Sequence, residues 1–127
     1  MLPPKPIRVL VADSHEMSRL GLRIFVETFD DLELVGETQD GLEILRMCSQ
    51  TQPDVVLMSV NFEAADGIEI IRTIREKFPQ VSVVVLSSQY HTEDLELVMK
   101  AGASSFLLKG VPIDVMAEAV RYAHSSS

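Results

Sequence analysis

The chain has a single cysteine, Cys48, so no internal disulfide can form and the core alone must hold the fold. Its apolar neighbours in a helix-like stretch mark it as a reduced thiol at or near the core. No partner pattern for a cysteine nucleophile surrounds it. Basic charge is also scarce. Eleven Lys and Arg stand against nineteen Asp and Glu, a formal net charge of −8. A surface of that sign suits neither phosphate backbones nor anionic membranes, so direct nucleic-acid binding by these residues is not expected. No apolar run approaches the ~20 residues of a membrane helix. The opening "MLPPKPIRVL" lacks the apolar core of a signal peptide. These absences predict a cytoplasmic, soluble chain without membrane contact.

What the chain does have is enough apolar residue to fold unaided. Its 127 residues are 46% hydrophobic, which fits one domain with a self-sufficient core and argues against disorder. Short β-branched runs recur at "IRVLVAD" (Ile7–Asp13), "LELVGE" (Leu32–Glu37), "DVVLMS" (Asp54–Ser59), "VSVVVLSS" (Val81–Ser88) and "SSFLLK" (Ser104–Lys109). Segments with helical spacing lie between them. Their predicted apolar faces are Met17, Leu20, Ile24, Phe25 and Phe29, then Leu42, Leu45 and Cys48 widened by Ile44 and Met47, then Ile70, Ile71, Ile74 and Phe78. The last two are Leu95, Val98 and Met99, and Val115, Met116, Ala119 and Val120. Pro53 and Pro79 block continuation of two helices. Asp66 with Glu69 fits a capping box, Pro112 suits a first helical turn, and Gly102 fits a helix C-terminus.

Strand–helix five times over predicts an α/β, flavodoxin-like (βα)5 doubly wound sandwich. Right-handed crossovers favour a five-stranded parallel sheet in the order 2-1-3-4-5. The third and fourth runs are apolar almost without break, as central strands covered on both faces should be. Residues 1–124 are assigned to this domain and 125–127, "SSS", to a linker start or an added tail. Ligands of such sheets bind beyond the carboxyl ends of the strands near the reversal of strand order. Asp13, Ser14, Ser59, Ser87, Ser88 and Lys109 are the residues delivered there.

Over nearly its whole length the chain resembles a response-regulator receiver domain, of the NarL/LuxR type. The likeness rests on "IRVLVADSHEMSRLGL", on "QPDVVLMSVNFEAADGIEIIRTIRE", on "VVVLSS" and on "AGASSFLLKG", where Gly102, Ala103, Phe106, Leu107, Leu108 and Lys109 all fall in register. The resemblance implies a domain that takes a phosphoryl group from a histidine kinase onto an aspartate at the end of the third strand. It also implies Mg²⁺ held by an acidic pair after the first strand, and a helix-turn-helix DNA-binding domain downstream. Ser87 matches the hydroxyl that contacts the phosphoryl group in active members, and Phe106 the aromatic whose rotation reports activation. Their ordinary alternatives are a strand end and a core ring. The segment Thr92–His124 matches the family's partner face, where Leu97, Val115 and Tyr122 are candidate apolar anchors.

Three family features are altered together. Ser59 holds the acceptor position, Ser14 replaces the second acid beside Asp13, and the loop "FEAADG" lacks its usual proline. A serine hydroxyl is neutral and needs a general base, whereas an aspartate is already ionised. Asp13 against Lys109 sums to no net charge, so Mg²⁺ binding is expected to be weak or absent, with no cofactor and no catalytic residue. Three changes together favour a naturally degenerate receiver over an engineered change at Ser59, and such a receiver is expected to act by protein interaction or dimerisation without aspartyl phosphorylation. Ser59 is expected as a small buried residue whose hydroxyl bonds a neighbour, rather than as a serine-kinase site. Asp13 and Lys109 are expected to pair directly or through water, unless Lys109 is free to hold an anion. Asp66 is read as a cap, and His15, His91 and His124 as surface or capping groups without metal-ligand spacing.

Two other readings stay open. One is a receiver phosphorylated or ligand-regulated through an unorthodox acceptor such as Asp13. The other is a small flavodoxin-like enzyme or cofactor carrier. It is disfavoured because "ADSHEMS" has no glycine for a phosphate loop and "LMSVN" supplies no Gly-x-Ser-x-Gly.

Overall fold

Ten elements alternate along the computed structural model, which describes residues 4–60, 66–89 and 91–126. They are β1 (Ile7–Ala12), α1 (Glu16–Thr28), β2 (Leu32–Thr38), α2 (Gly41–Thr51), β3 (Val55–Ser59), α3 (Asp66–Lys77), β4 (Ser82–Ser87), α4 (Thr92–Ala101), β5 (Ser105–Leu108) and α5 (Ile113–Ser125). The sheet order is β2-β1-β3-β4-β5, with every pairing parallel. The expected topology is therefore the observed one. The loop "FEAADG" up to Ala65, and the Asp66 side chain on which the capping box depends, lie outside the described residues.

Alternation along the strands builds two cores. Val9, Val11, Val55, Leu57, Val84 and Leu86 face α1 and α5. Leu10, Ala12, Val56, Met58, Val83 and Val85 face α2, α3 and α4. Both faces are covered, so the central strands carry no polar alternation.

Helix faces were less legible. In α1 the buried residues are Leu22, Phe25 and Val26, with Phe29 packed against them, while Met17 and Ile24 are exposed. The sequence holds two overlapping stripes, and the sheet takes the one starting at Leu22. In α2, Leu42 is exposed and Ile44 and Cys48 are buried. In α4, Val98 is buried but Met99 is exposed. In α5, Ala117, Val120 and Ala123 turn inward and Val115 outward. Small residues there let the helix sit close to β4, where the buried Ser82 hydroxyl donates to the Ala123 carbonyl at 2.8 Å. Only α3 buries its expected centre, Ile71 and Ile74, unchanged. Pro112 occupies the N-cap of α5 rather than its first turn. At the other end α5 runs into the serine tail as far as Ser125, with the Ser126 N–H donating to the Tyr122 carbonyl at 3.0 Å.

Gly102 ends α4 at φ 114°, and its N–H donates to the Met99 carbonyl at 3.1 Å. A Cβ there would stand 2.7 Å from Arg75 Cγ, and Arg75 is held by the carbonyls of Pro79 and Val81. Gly102→Ala is expected to lower unfolding stability by about 1–2 kcal/mol, the cost of a left-handed backbone for an L-residue. A urea titration measures this as an earlier midpoint at unchanged slope.

Arg121 ties α5 to the turn before β2. Its guanidinium donates to Asp31 at 2.7 and 3.1 Å and lies 5.4 Å from the Phe29 ring centroid. The hydrogen bond from Arg121 is the main reason that the Asp31 carboxyl sits below its ordinary value. Its stabilising contribution is therefore present above the unfolded-state pKa and lost as pH falls through the folded one. Acidification below about pH 4 should lower the denaturation midpoint of the parent chain more than that of Asp31→Asn. Glu37, whose carboxyl is lowered by Arg23, acts in both proteins, so their difference isolates Asp31.

Burial pushes the Cys48 thiol up to about 11. It is a core residue with little thiolate at neutral pH.

Candidate functional site

β1 stops at Ala12, and the next residue turns into the end of the sheet, its N–H donating to the Thr38 carbonyl at 3.0 Å. This places the Asp13 carboxylate under the start of α1. The residue is 2% exposed, and a carboxylate so buried needs partners. It has three. Oδ1 accepts the His15 N–H at 2.9 Å, and Oδ2 accepts the Ser18 hydroxyl and the Lys109 ammonium, the latter at 3.3 Å. Arg19 holds the Asp13 carbonyl at 2.9 Å.

Lys109 follows β5 directly, its N–H donating to the Ser87 carbonyl at 2.8 Å. Its side chain is 29% exposed, so the ammonium spans the buried Asp13 and an open cleft. The Asp13–Lys109 ion pair expected from sequence is thus direct.

Ser59 ends β3 opposite Leu86 of β4. It is half-buried and lines the cleft, and its hydroxyl has no hydrogen-bond partner among the described residues. This corrects the expectation of a buried, bonded hydroxyl. The strand register brings Ser59 to the sheet edge, where water reaches it. Ser14 is exposed, with one long contact of 3.4 Å to His15 Nδ1. Ser87 is buried and closed on itself, since its hydroxyl donates to the Gln89 carbonyl at 2.8 Å and accepts the Gln89 N–H at 3.2 Å. Phe106 is half-buried and packs against the core under α2, α3 and α4.

The cleft has a volume of about 490 Å³ and is lined by side chains of β1, β3, β4, β5, α4 and their loops. Ser14, Ser59, Ser87, Ser88 and Lys109 meet there, as the strand-end rule predicts. Asp13 does not line it but, though buried, borders an adjoining pocket of about 180 Å³ with Ser14, Ser59 and Asp40. Sequence reasoning missed Ser18 as the carboxylate's partner and Asp94 as an acid on the cleft wall. Ser18 was findable, because a hydroxyl in the first turn of α1 points back toward the strand end. Asp94 was not, since nothing in "TEDLEL" shows which acid turns inward. His15 and His91 hold the N-cap positions of α1 and α4, neither side chain bonds its helix turn, and both line the cleft. On the Thr92–His124 face, Leu97, Val115 and Tyr122 are all exposed. No group of three or more His, Cys, Asp or Glu close enough to hold a metal occurs among the described residues. No helix among them is long and apolar enough to cross a membrane.

Residues 9–121 match the response regulator receiver domain model. The chain is 40% identical over 117 residues to the transcriptional regulatory protein LiaR of Bacillus subtilis, covering 92% of this chain and 56% of that protein. It is 35% identical over 115 residues to the response regulator protein VraR of Staphylococcus aureus, covering 91% and 55%. The signal receiver domain of NarL from Mycobacterium tuberculosis superposes with a TM-score of 0.90 at 25% identity, covering 98% of this chain and all of that one. The chain spans about half the length of the curated relatives it matches, and these carry the names of regulators rather than enzymes. With its strand order, its strand-end cleft and the Asp13–Lys109 pair, the chain belongs to the response regulator receiver domain family, within it to the NarL/LuxR type.

Proposed function

We propose that this receiver works without an aspartyl phosphate, as a protein-interaction or dimerisation module of a cytoplasmic transcription regulator. One observation carries the reading. The strand-end position where the family has its acceptor presents Ser59, a neutral hydroxyl with no general base bonded to it among the described residues, while the Asp13 carboxylate is already engaged by three donors. A hydroxyl without a base is a poor nucleophile at phosphorus.

The same donors speak against Mg²⁺. That ion needs near-octahedral oxygen ligation with one or two available carboxylates. Here the nearest carboxylate already accepts the Ser18 hydroxyl, the His15 N–H and the Lys109 ammonium, which leaves it less negative charge to offer a cation. The replacements, Ser14 and Ser59, are neutral. The residues present do not fit the family's metal. An unorthodox acceptor at Asp13 is disfavoured by the same donors, which already engage both of its oxygens.

Output is assigned to the Thr92–His124 face, where Leu97 and Tyr122 are 51% and 61% exposed. Exposed aromatic and aliphatic anchors of this kind suit a protein partner or a second copy. The helix-turn-helix domain implied by the resemblance would lie in the part of the relatives that this chain does not span.

The test is incubation with acetyl phosphate and Mg²⁺, read by intact mass and by light scattering. No mass gain and an unchanged oligomeric state are expected. A labile acyl phosphate, on Asp13 or elsewhere, would sink the proposal.

A further inference from the structure

On the side of the sheet covered by α1 and α5, Lys109 borders a further pocket whose lining is apolar. We propose that this pocket binds a neutral apolar molecule about the size of one aromatic ring. Ligand binding there is independent of the chemistry at Ser59.

The pocket has a volume of about 170 Å³ and lies where α1, the end of β5 and the start of α5 converge. Its floor is core, since Leu22, Phe25 and Leu86 are 6%, 3% and 2% exposed. Its walls are not. Leu108 and Ile113 stay 40% and 49% exposed over that floor, with Val111 and Met116 half-buried beside them. Apolar side chains so placed would ordinarily close over the floor to leave water. Here the frame holds them apart. Ser18 of α1 and Lys109 after β5 both donate to Asp13 Oδ2, which ties both walls to the end of β1. Gly110 turns the β5–α5 loop at φ 95°, a conformation that favours glycine. On α1, Gly21 puts no side chain into the opening, and a Cβ there would meet nothing within 4 Å.

The same groups define the ligand. Ser18 and Lys109 are the two polar side chains of the lining, and both are engaged by Asp13, which balances the lysine's charge. An ion entering the pocket would lose hydration without gaining a free counter-charge. An apolar cavity of about 150 Å³ takes a benzene-sized molecule. The volume here therefore suits one ring with a short substituent, and a helix about 10 Å across does not fit. A second copy of the chain has apolar side chains to offer, but a net charge of −8 on each copy opposes that approach. Leu108 and Ile113 also belong to the Thr92–His124 segment, so a bound ligand covers part of the face assigned to output.

The test is a titration of the ¹⁵N-labelled chain with benzyl alcohol, and with benzoate and benzylamine as charged analogues of similar size. Saturable amide shifts at Gly21, Leu22, Leu108, Gly110 and Ile113 are expected with benzyl alcohol. Both ions should bind at least about tenfold more weakly. Calorimetry should show a negative heat-capacity change, the mark of apolar burial. Gly21→Leu places a good helix former where there is room for it and fills the opening. It should abolish the shifts without lowering the urea midpoint. Ile113→Ser, at an exposed wall, should weaken binding several-fold and carries the test if Gly21→Leu fails to fold. No saturable shift in the parent, shifts centred on Ser14, Ser59 and Ser88 instead, or unchanged binding by both variants overturns the inference. Benzoate binding as tightly as benzyl alcohol overturns the neutral class. A parent that is dimeric by light scattering and made monomeric by Gly21→Leu gives the pocket to a second copy, which overturns the inference as well. An acyl phosphate in the mass spectrum would count against the proposed function alone and leave this site standing.

Discussion

The paired substitutions Ser14→Asp and Ser59→Asp are expected to yield a chain that takes a labile phosphoryl group from acetyl phosphate in the presence of Mg²⁺, where the proposed function expects none on the parent. The backbone needed for this is in place, since β3 delivers residue 59 to the sheet edge beside the cleft that Lys109 and Ser14 line. What is missing is charge. The double variant sets three carboxylates, at 13, 14 and 59, against Lys109. Each carboxylate within about 4 Å of a cation gains several kcal/mol at an effective dielectric near 20, before desolvation is subtracted. Mg²⁺ affinity should rise by at least roughly a hundredfold, since 1.4 kcal/mol already corresponds to tenfold. Calorimetry measures the metal and intact mass the adduct. Ser59→Asp alone should show a smaller gain, because Asp13 keeps its three donors and Ser14 stays neutral. A double variant that takes neither metal nor phosphoryl group would mean that the cleft's charge does not decide its reactivity.

The second large effect concerns stability. Asp13→Ala is expected to cost about 2–3 kcal/mol of unfolding free energy, because hydrogen bonds to a charged group contribute about 1.5–3 kcal/mol each and removing one partner strands the others. Three donors lose their acceptor at once: the His15 N–H, the Ser18 hydroxyl and Lys109. Lys109, at 29% side-chain exposure, can turn to water, which keeps the loss below the sum. Asp13→Asn retains one oxygen and should fall between. A reactive carboxylate held among like charges behaves oppositely, and its removal stabilises the fold. An Asp13→Ala chain as stable as the parent in urea would therefore contradict the structural role given to Asp13.

Much of the site was readable before any coordinates, for a simple reason. Strand ends are marked by where an apolar run meets a polar residue, and a parallel sheet puts every such residue on one edge. Asp13, Ser59, Ser87 and Lys109 were placed this way, and their convergence needs no knowledge of side-chain packing. The state of each hydroxyl was not readable. Ser59 and Ser87 are the same residue at equivalent strand ends. One is open to the cleft and the other is closed on Gln89, a difference that residue type alone does not carry.

The order of apolar and polar residues along this chain was enough to specify five parallel strands, their sequence in the sheet, and the neutral side chains at positions 14 and 59. These are one-dimensional properties, read from period, punctuation and residue type. Which stripe of α1 meets the sheet, whether Asp94 lines the cleft, and which donors hold the buried Asp13 required the folded chain. Each depends on a helix's rotation about its axis or on a side chain's choice among several partners. Such choices are made by contacts between residues far apart in sequence, as when Lys109 reaches back across the sheet to Asp13.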